Sequence, residues 1–249
     1  MKISVITVSY NSGSTIGDTI RSVVSQKYDD VEYLIVDGAS KDNTSEIVKS
    51  FGSGVTFFLS EKDKGIYDAM NKGVSLAKGE VIGILNSDDF YSDENVLNDV
   101  MNLFEETGAD ALYADLDYVD QLDTSRIVRK WRSGAYRDGL FKWGWMPPHP
   151  TFFVKRAVYE KFGAYNLSLK SAADYELMLR LLHKHKVKVA YLPRTIIHMR
   201  TGGQSNVTIK NRIKANMEDR IAWKINDLKP GILTLTWKPL RKIKQFFQK

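Results

Sequence analysis

The first hundred residues alternate between strand-like and helix-like patterns, and this alternation restricts the fold more than any other feature. Short apolar, β-branched runs predict four strands, at 2–8, 31–36, 55–59 and 81–85. Apolar residues at helical spacing predict four helices, which begin near Thr15, Asp42, Ile66 and Asn95. Because such alternation favours a mostly parallel sheet with helices on both faces, we predict a Rossmann-like α/β fold.

The second half of the chain has a different pattern, with shorter elements after Gly108. The predicted elements are strands at 109–119, 126–131, 151–154, 187–192 and 195–199, and helices at 157–162 and 174–185. Gly202-Gly203 indicates a flexible joint. We therefore predict one domain over 1–203, made of halves 1–108 and 109–203, followed by a tail at 204–249.

The tail carries the basic character of the chain. It has eleven Lys/Arg and three Asp/Glu, a net charge of +8, whereas residues 1–203 have a net charge of −2. Apolar residues at every fourth position over 209–225 predict an amphipathic helix, and residues 237–247 interleave aromatic and basic residues. Basic residues interspersed with aromatic and apolar ones predict contact with an anionic membrane surface. Nucleic acid is the less favoured partner, because no nucleic-acid-binding motif is present. The alternative is a packed helix with a solvated basic face.

Composition excludes several classes of protein. The chain of 249 residues has no cysteine, which excludes disulfides and thiolate metal sites and fits a reducing compartment. No apolar run reaches the roughly 18–20 residues of a transmembrane helix, and the start of the chain lacks a signal-peptide pattern. We therefore expect a cytoplasmic protein.

Two adjacent acids, Asp88 and Asp89, follow the fourth predicted strand directly. In open α/β sheets ligands bind at the carboxyl ends of the strands. Neighbouring carboxylates repel each other unless a cation holds them, and hard oxygen ligands beside a nucleotide suit Mg²⁺ or Mn²⁺. The alternative is an Asx-rich surface turn.

Other acids also follow predicted strands. Asp37 ends the second strand, and Glu61 and Asp63 follow the third. Since parallel strands bring their carboxyl ends together, these acids are expected to converge on one crevice, where they can accept hydrogen bonds from ribose or a base. Asp42 stands where a helix cap belongs. The sequence has no dinucleotide fingerprint, P-loop or serine nucleophile elbow, which leaves a nucleotide held by carboxylates and a cation.

Four segments together resemble glycosyltransferase family 2, the bacterial inverting sugar-nucleotide transferases with a GT-A fold. They are TVSYN at 7–11, VDGASKDNT at 36–44, KGIYDAMNKG at 64–73 and NSDD at 86–89. They occur in the order and at the spacing of the family, and the resemblance covers residues 1–200.

The resemblance implies roles for donor-binding residues. Those that match the family's nucleotide site are Thr7, Ser9, Asp37, Glu61, Asp63 and Asn86. Asp88 would hold the divalent metal, Mn²⁺ or Mg²⁺, on the diphosphate. Asn86 replaces the first acid of the family's Asp-x-Asp triplet. Its amide can bond a ribose hydroxyl but adds no charge.

The resemblance also implies roles in the second half. Asp174 matches the base, while Ala173 replaces the acid that usually precedes it. An N-cap is the alternative for Asp174. His149 and Trp145 would lie beside the sugar and the acceptor, and His198 would reach the metal or diphosphate. A lone histidine is more often structural.

The implied activity is inverting, metal-dependent transfer of a sugar from a nucleotide donor, such as a UDP-sugar, to a lipid-linked oligosaccharide. The expected place is the inner face of a bacterial membrane, in O-antigen or capsule synthesis. One rival is a sugar-nucleotide nucleotidyltransferase, but residues 9–14 lack the basic triphosphate loop of that class. Another rival is a non-catalytic assembly partner with the same fold.

Overall fold

The computed structural model describes residues 1–202, 209–231 and 234. Its strands are β1 (Ile3–Ser9), β2 (Val31–Asp37), β3 (Phe57–Ser60), β4 (Val81–Asn86), β5 (Asp89–Tyr91), β6 (Ala111–Val119), β7 (Ile127–Trp131), β8 (Phe153–Lys155) and β9 (Val189–Arg200). Its α-helices are α1 (Ile16–Val24), α2 (Thr44–Ser50), α3 (Ile66–Leu76), α4 (Val96–Thr107), α5 (Arg156–Phe162), α6 (Ala173–Met178) and α7 (Ile209–Ile225).

One sheet organises the described residues, in the order β3-β2-β1-β4-β8-β6-β9-β5, with β7 paired to β6. The first four strands of this order are parallel, and β6 and β9 are also parallel. β8 runs antiparallel to its neighbours β4 and β6, so the sheet is mixed in its second half. The predicted mostly parallel α/β architecture is confirmed.

Both faces of the sheet are covered, which explains why β1, β2 and β4 have nearly continuous apolar sequences. Residues of α1, α2 and α4 pack on one face. Residues of α3, α5 and α6 pack on the other. The carboxyl ends of the parallel strands are left at one edge of this sandwich, where the candidate site lies.

Two features of the second half differ from the sequence prediction. The two strands predicted at 187–199 form the single strand β9, which continues through Pro193 because β6 pairs Ala114 with Leu192 and then Asp115 with Thr195. Such a bulge accommodates a proline that cannot donate to the ladder. The strand β5, which has only three residues and was not predicted, pairs with the end of β9.

The helix predicted at 174–185 is divided. It consists of α6 and a π-helical segment, Leu179–Lys184. Its first residue is Ala173, so Asp174 is inside the first turn and is not the N-cap.

Helix α7 lies where the amphipathic helix was predicted, but the three residues of its apolar repeat whose side chains are described do not face the core. Met217, Ile221 and Ile225 are 61%, 44% and 40% exposed, whereas Ala222 and Trp223 are fully buried in the core that contains α6. The domain division at 203 stays a prediction, and the aromatic-basic segment 237–247 lies outside the described residues. Within the described residues, no helix has the length and apolarity needed to cross a membrane.

Candidate active site

Asp37 is the centre of a hydrogen-bonded row across three parallel strands. Its side chain is fully buried and accepts bonds from Ser9 Oγ (3.0 Å), Ser40 N (2.9 Å) and Ser60 Oγ (2.7 Å), and a further bond from Ser40 Oγ. The register aligns Ser9 with Asp37 and Asp37 with Ser60. Both carboxylate oxygens therefore hold protein groups, and the residue fixes the geometry of this edge.

Two other predicted nucleotide residues are also engaged within the protein. Thr7 is fully buried, with its Oγ1 3.0 Å from Tyr33 Oη. Ser9 is nearly buried against Asp37. Because Thr7 is fully buried, it has no exposed atom for a nucleotide to contact in this geometry, and its hydroxyl links β1 to β2 instead.

Glu61 and Asp63 lie on the loop after β3, beside Asp37. Asp63 Oδ1 accepts a bond from Gly65 N (2.8 Å), and Glu61 forms an ion pair with Lys72 (2.7 Å). The Asp63 carboxylate packs closely against Gly38, where an added Cβ would lie only 2.5 Å from Asp63 Oδ2. The two acids thus border the open side of the crevice, with Glu61 half-exposed.

The turn between β4 and β5 carries Asp88. Asn86 Nδ2 donates to Asp89 Oδ2 (2.9 Å), while Asn86 Oδ1 and Asp89 Oδ1 are buried without a partner among the described residues. Burial raises the pKa of Asp89 well above its ordinary range, and the nearby Asp88 charge raises it further. Burial also raises the pKa of Asp88, against an opposing effect of Arg200. Asp89 is therefore the internal partner of Asn86.

Arg200 closes the other side of this turn. It is buried, donates Nη1 to Asp88 O (2.9 Å), forms an ion pair with Asp18 and lies 5.0 Å above the Phe90 ring. The arginine thus joins the end of β9 to the first turn of α1 and to the backbone of Asp88.

His198 lies on β9 between Phe90 of β5 and Asp117 of β6 in the strand register. Its ring centroid is 5.4 Å from that of Phe90, and its buried Nδ1 has no partner among the described residues. Burial lowers the pKa of His198, although Asp117 opposes this effect. The neutral imidazole is the form that ligates metals.

The donor set at this turn fits a cation that is shared with a substrate. Within the described residues, no three His, Cys, Asp or Glu side chains come together as a metal cage. Mg²⁺ usually binds through one or two carboxylates plus substrate phosphates and water. The Asp88 carboxylate and the unpartnered Asn86 Oδ1 are oxygen donors of this type.

Asp174 lies in the first turn of α6, and a residue of the donor half contacts it. Tyr67 Oη of α3 donates to Asp174 Oδ1 (2.9 Å). Among the described residues, Asp174 Oδ2 accepts no hydrogen bond. One oxygen of this half-buried carboxylate is therefore available to a ligand.

His149 is next to this carboxylate but does not bond it. The imidazole is buried, and its Nε2 lies 2.7 Å from Tyr165 Oη. Burial lowers the pKa of His149, and the Asp174 charge acts in the opposite direction. Asn71 of α3 exchanges two hydrogen bonds of 2.8 Å with the backbone of Tyr165. Helix α3 therefore ties the donor half to the acceptor half.

Trp145 is a core residue in the structure. Its side chain is 4% exposed, its Nε1 donates to Ser133 O (2.9 Å), and its ring contacts those of Tyr136 and Phe141. The sugar contact assigned to it would require this aromatic cluster to open. Trp143, two residues earlier, is 58% exposed and is the accessible tryptophan of the loop.

Sequence reasoning missed three residues at the site: Tyr67, Asn71 and Arg200. Tyr67 and Asn71 are four residues apart on α3, and so share one face of a helix that was predicted. That spacing was a usable signal. Arg200 had none, because its partners Asp18 and Asp88 are distant in sequence.

The chain is similar in sequence to bacterial glycosyltransferases. An uncharacterized glycosyltransferase of Mycobacterium tuberculosis (strain ATCC 25618 / H37Rv) is 30% identical over 186 residues, which cover 72% of this chain and 68% of the relative. A PGL/p-HBAD biosynthesis glycosyltransferase of Mycobacterium bovis (strain BCG / Pasteur 1173P2) is 28% identical over 211 residues, covering 83% of this chain and 80% of the relative.

Solved structures share the fold. S. aureus TarS 1-349 in complex with UDP superposes with a TM-score of 0.70 at 19% identity, covering 98% of this chain and 72% of that one. The mannosyltransferase PcManGT from Pyrobaculum calidifontis, in complex with GDP-Man and Mn²⁺, has a TM-score of 0.68 at 17% identity, covering 95% and 68%. The model of the family described as "Glycosyl transferase family 2" matches residues 4–163. Because this match covers more than half of the sequence, the chain belongs to glycosyl transferase family 2.

Proposed function

We propose that the protein is a metal-dependent inverting glycosyltransferase that uses a UDP-sugar, with Asp174 as the general base. The observation that carries this proposal is the Tyr67–Asp174 hydrogen bond (2.9 Å), because it holds a carboxylate with one available oxygen against the donor half of the crevice. An inverting transfer needs one such carboxylate near the acceptor hydroxyl.

In the proposed reaction Asp174 Oδ2 takes the proton of the acceptor hydroxyl. The acceptor oxygen forms a bond to the anomeric carbon, while the bond from that carbon to the diphosphate oxygen breaks and UDP leaves. The proton ends on Asp174, in the first turn of α6. A divalent cation held by Asp88, with Asn86 Oδ1 and His198 as further donors, would supply positive charge for the leaving diphosphate.

The choice of UDP draws on related proteins. TarS has been solved with UDP and with UDP-GlcNAc, whereas PcManGT has been solved with GDP-Man. The proposed nucleotide site is the edge formed by Thr7, Ser9 and Asp37, bordered by Glu61 and Asp63. The burial of the first three and the greater exposure of the last two support this division of the site into an inner and an outer part.

Two measurements test the donor proposal. Release of the nucleoside diphosphate in water, measured over a panel of UDP- and GDP-sugars, should be fastest with one UDP-sugar. Calorimetry should show that Mn²⁺ strengthens UDP binding and that Asp88→Ala abolishes this metal effect. Equal UDP affinity with and without Mn²⁺ in the wild type would remove Asp88 from this role. A nucleotidyltransferase would instead consume a nucleoside triphosphate and a sugar phosphate, and a non-catalytic partner would release no UDP.

We also propose that the acceptor is a lipid-linked oligosaccharide of surface polysaccharide synthesis, such as O-antigen or capsule, at the inner face of the membrane. The net charge of +8 over 204–249 supports this proposal. On α7, exposed Arg220 and Lys224 adjoin the exposed Met217, Ile221 and Ile225. A basic and apolar face of this kind suits an anionic bilayer surface.

Sedimentation with vesicles containing anionic lipid tests the membrane contact. A chain that ends at Gly231 should leave the vesicles, and Ile221→Glu should weaken binding about 10-fold. Val24→Glu on α1 is the matched control, because Val24 and Ile221 are both 44% exposed. Undiminished sedimentation of the shortened chain would contradict the role of the tail, and equal effects of the two Glu variants would contradict that of α7.

A further inference from the structure

We propose that Tyr67 is the positioning residue of the base: its phenol holds Asp174 Oδ1 and thereby presents Oδ2 to the acceptor hydroxyl. This inference rests on the proposed function of Asp174. The sequence offers no sign of it, since the two residues are separated by 107 positions. The only side-chain bond that the described residues make to Asp174 is this one.

The phenol is held in place before any substrate binds. Tyr67 lies in the first turn of α3, and its ring stacks on that of Tyr165 with centroids 5.8 Å apart. Tyr165 is itself fixed, because its backbone exchanges two bonds with Asn71, one turn further along α3. The orientation of the Tyr67 hydroxyl is therefore set by packing on both sides of the crevice.

The phenol is also held in its donating form. Burial raises the pKa of Tyr67 far above its ordinary value of 10.0, and the Asp174 charge raises it further. Backbone N–H groups of Ala173 and Asp174 act in the opposite direction, which places the phenol oxygen at the start of α6. A protonated phenol can only donate to the carboxylate, so it leaves the second oxygen as the proton acceptor.

The neighbouring histidine does not take this role. His149 Nε2 is bonded to Tyr165 Oη, and burial keeps the imidazole neutral by lowering its pKa. Glu176, a buried carboxylate on the same helix, is occupied by Arg180 and Asn226. Within the described residues, Tyr67 alone connects the donor half to the carboxylate of the base.

The test is the full-length Tyr67→Phe variant, assayed by UDP release in water from the best UDP-sugar of the panel. We expect kcat to fall about 10-fold to 100-fold, because a misplaced reactive group costs that much. The KM for the donor and the calorimetric UDP affinity should stay unchanged. Tyr113→Phe is the control: it removes another buried phenol, bonded to Gly134 O (2.8 Å), and should keep both kcat and KM.

A double-mutant cycle distinguishes positioning of the base from a structural role. In an Asp174→Asn background, Tyr67→Phe should cause no further loss of kcat, since residues that act as a unit are non-additive. A loss of equal size in both backgrounds, or a Tyr67→Phe kcat within two-fold of wild type while Asp174→Asn is inactive, would overturn the proposal and leave the base in place. An active Asp174→Asn variant would instead overturn the proposed base.

Discussion

Asp37 and Asp174 are both aspartates in family motifs, yet they differ in burial and in the number of hydrogen bonds that their carboxylates accept. Asp37 is fully buried, and its two oxygens accept four hydrogen bonds from three serines. Asp174 is half-buried, and its side chain accepts one bond from the described residues, that of Tyr67, on one oxygen. A saturated carboxylate organises the protein around it, whereas one with an available oxygen can act on a ligand.

The difference follows from where the two residues stand. Asp37 ends an interior strand, so its neighbours on β1 and β3 surround it with donors. Asp174 lies in the first turn of a short helix, where the described residues supply one donor to its carboxylate. We expect mutation of Asp37 to act mainly on stability and mutation of Asp174 mainly on catalysis.

The largest expected effect is that of Asp174→Asn on transfer. The amide cannot accept the proton, so kcat for donor turnover should fall about 1,000-fold, within the usual range for a general base. UDP affinity by calorimetry should be unchanged, because the substitution is isosteric and lies outside the donor edge. Near-normal turnover would show that the available oxygen of Asp174 is not the base.

Asp37→Ala should have the next largest effect, on folding. It leaves the buried Ser9 hydroxyl and the half-buried Ser40 N–H without their acceptor, which should lower the free energy of unfolding by about 3 kcal/mol in urea denaturation. The control is Asp42→Ala, because Asp42 accepts bonds from Gly13 and Thr44 but is exposed. A loss no larger than that of the control would mean that saturation of Asp37 does not stabilise the edge.

The smallest expected effect is on the pH dependence of stability, through His149. Burial lowers its folded pKa below 6.5, so the unfolded chain binds this proton more readily. Its contribution to stability is complete above pH 6.5 and is lost as the pH falls through the folded pKa. His149→Gln should flatten the unfolding free energy between about pH 7 and 5. His185→Gln, at an exposed histidine whose pKa is also lowered by partial burial, should flatten the slope less than His149→Gln does.

Local patterns predicted most of the fold and much of the donor edge. The strands that became β1, β2 and β4 are covered on both faces, so their apolar runs are visible in sequence, and the acids Asp37 and Asp88 come at their ends. β5 was not predicted because three residues are too few to show the alternation of apolar and polar side chains that indicates a strand. The buried face of α7 was not predicted, because the burial of Trp223 depends on contact with α6. Tyr175 of α6 accepts a hydrogen bond from the Trp223 indole N–H at 2.8 Å.

The sequence by itself determined which acids reach the crevice, because a strand end and the carboxylate after it are properties of neighbouring residues. Only the tertiary structure decided what each acid does there. Asp37 accepts bonds from serines 28 and 23 positions away, and Asp174 accepts one from a tyrosine 107 positions away. Whether a carboxylate is saturated or available depends on those distant donors, which no local pattern encodes.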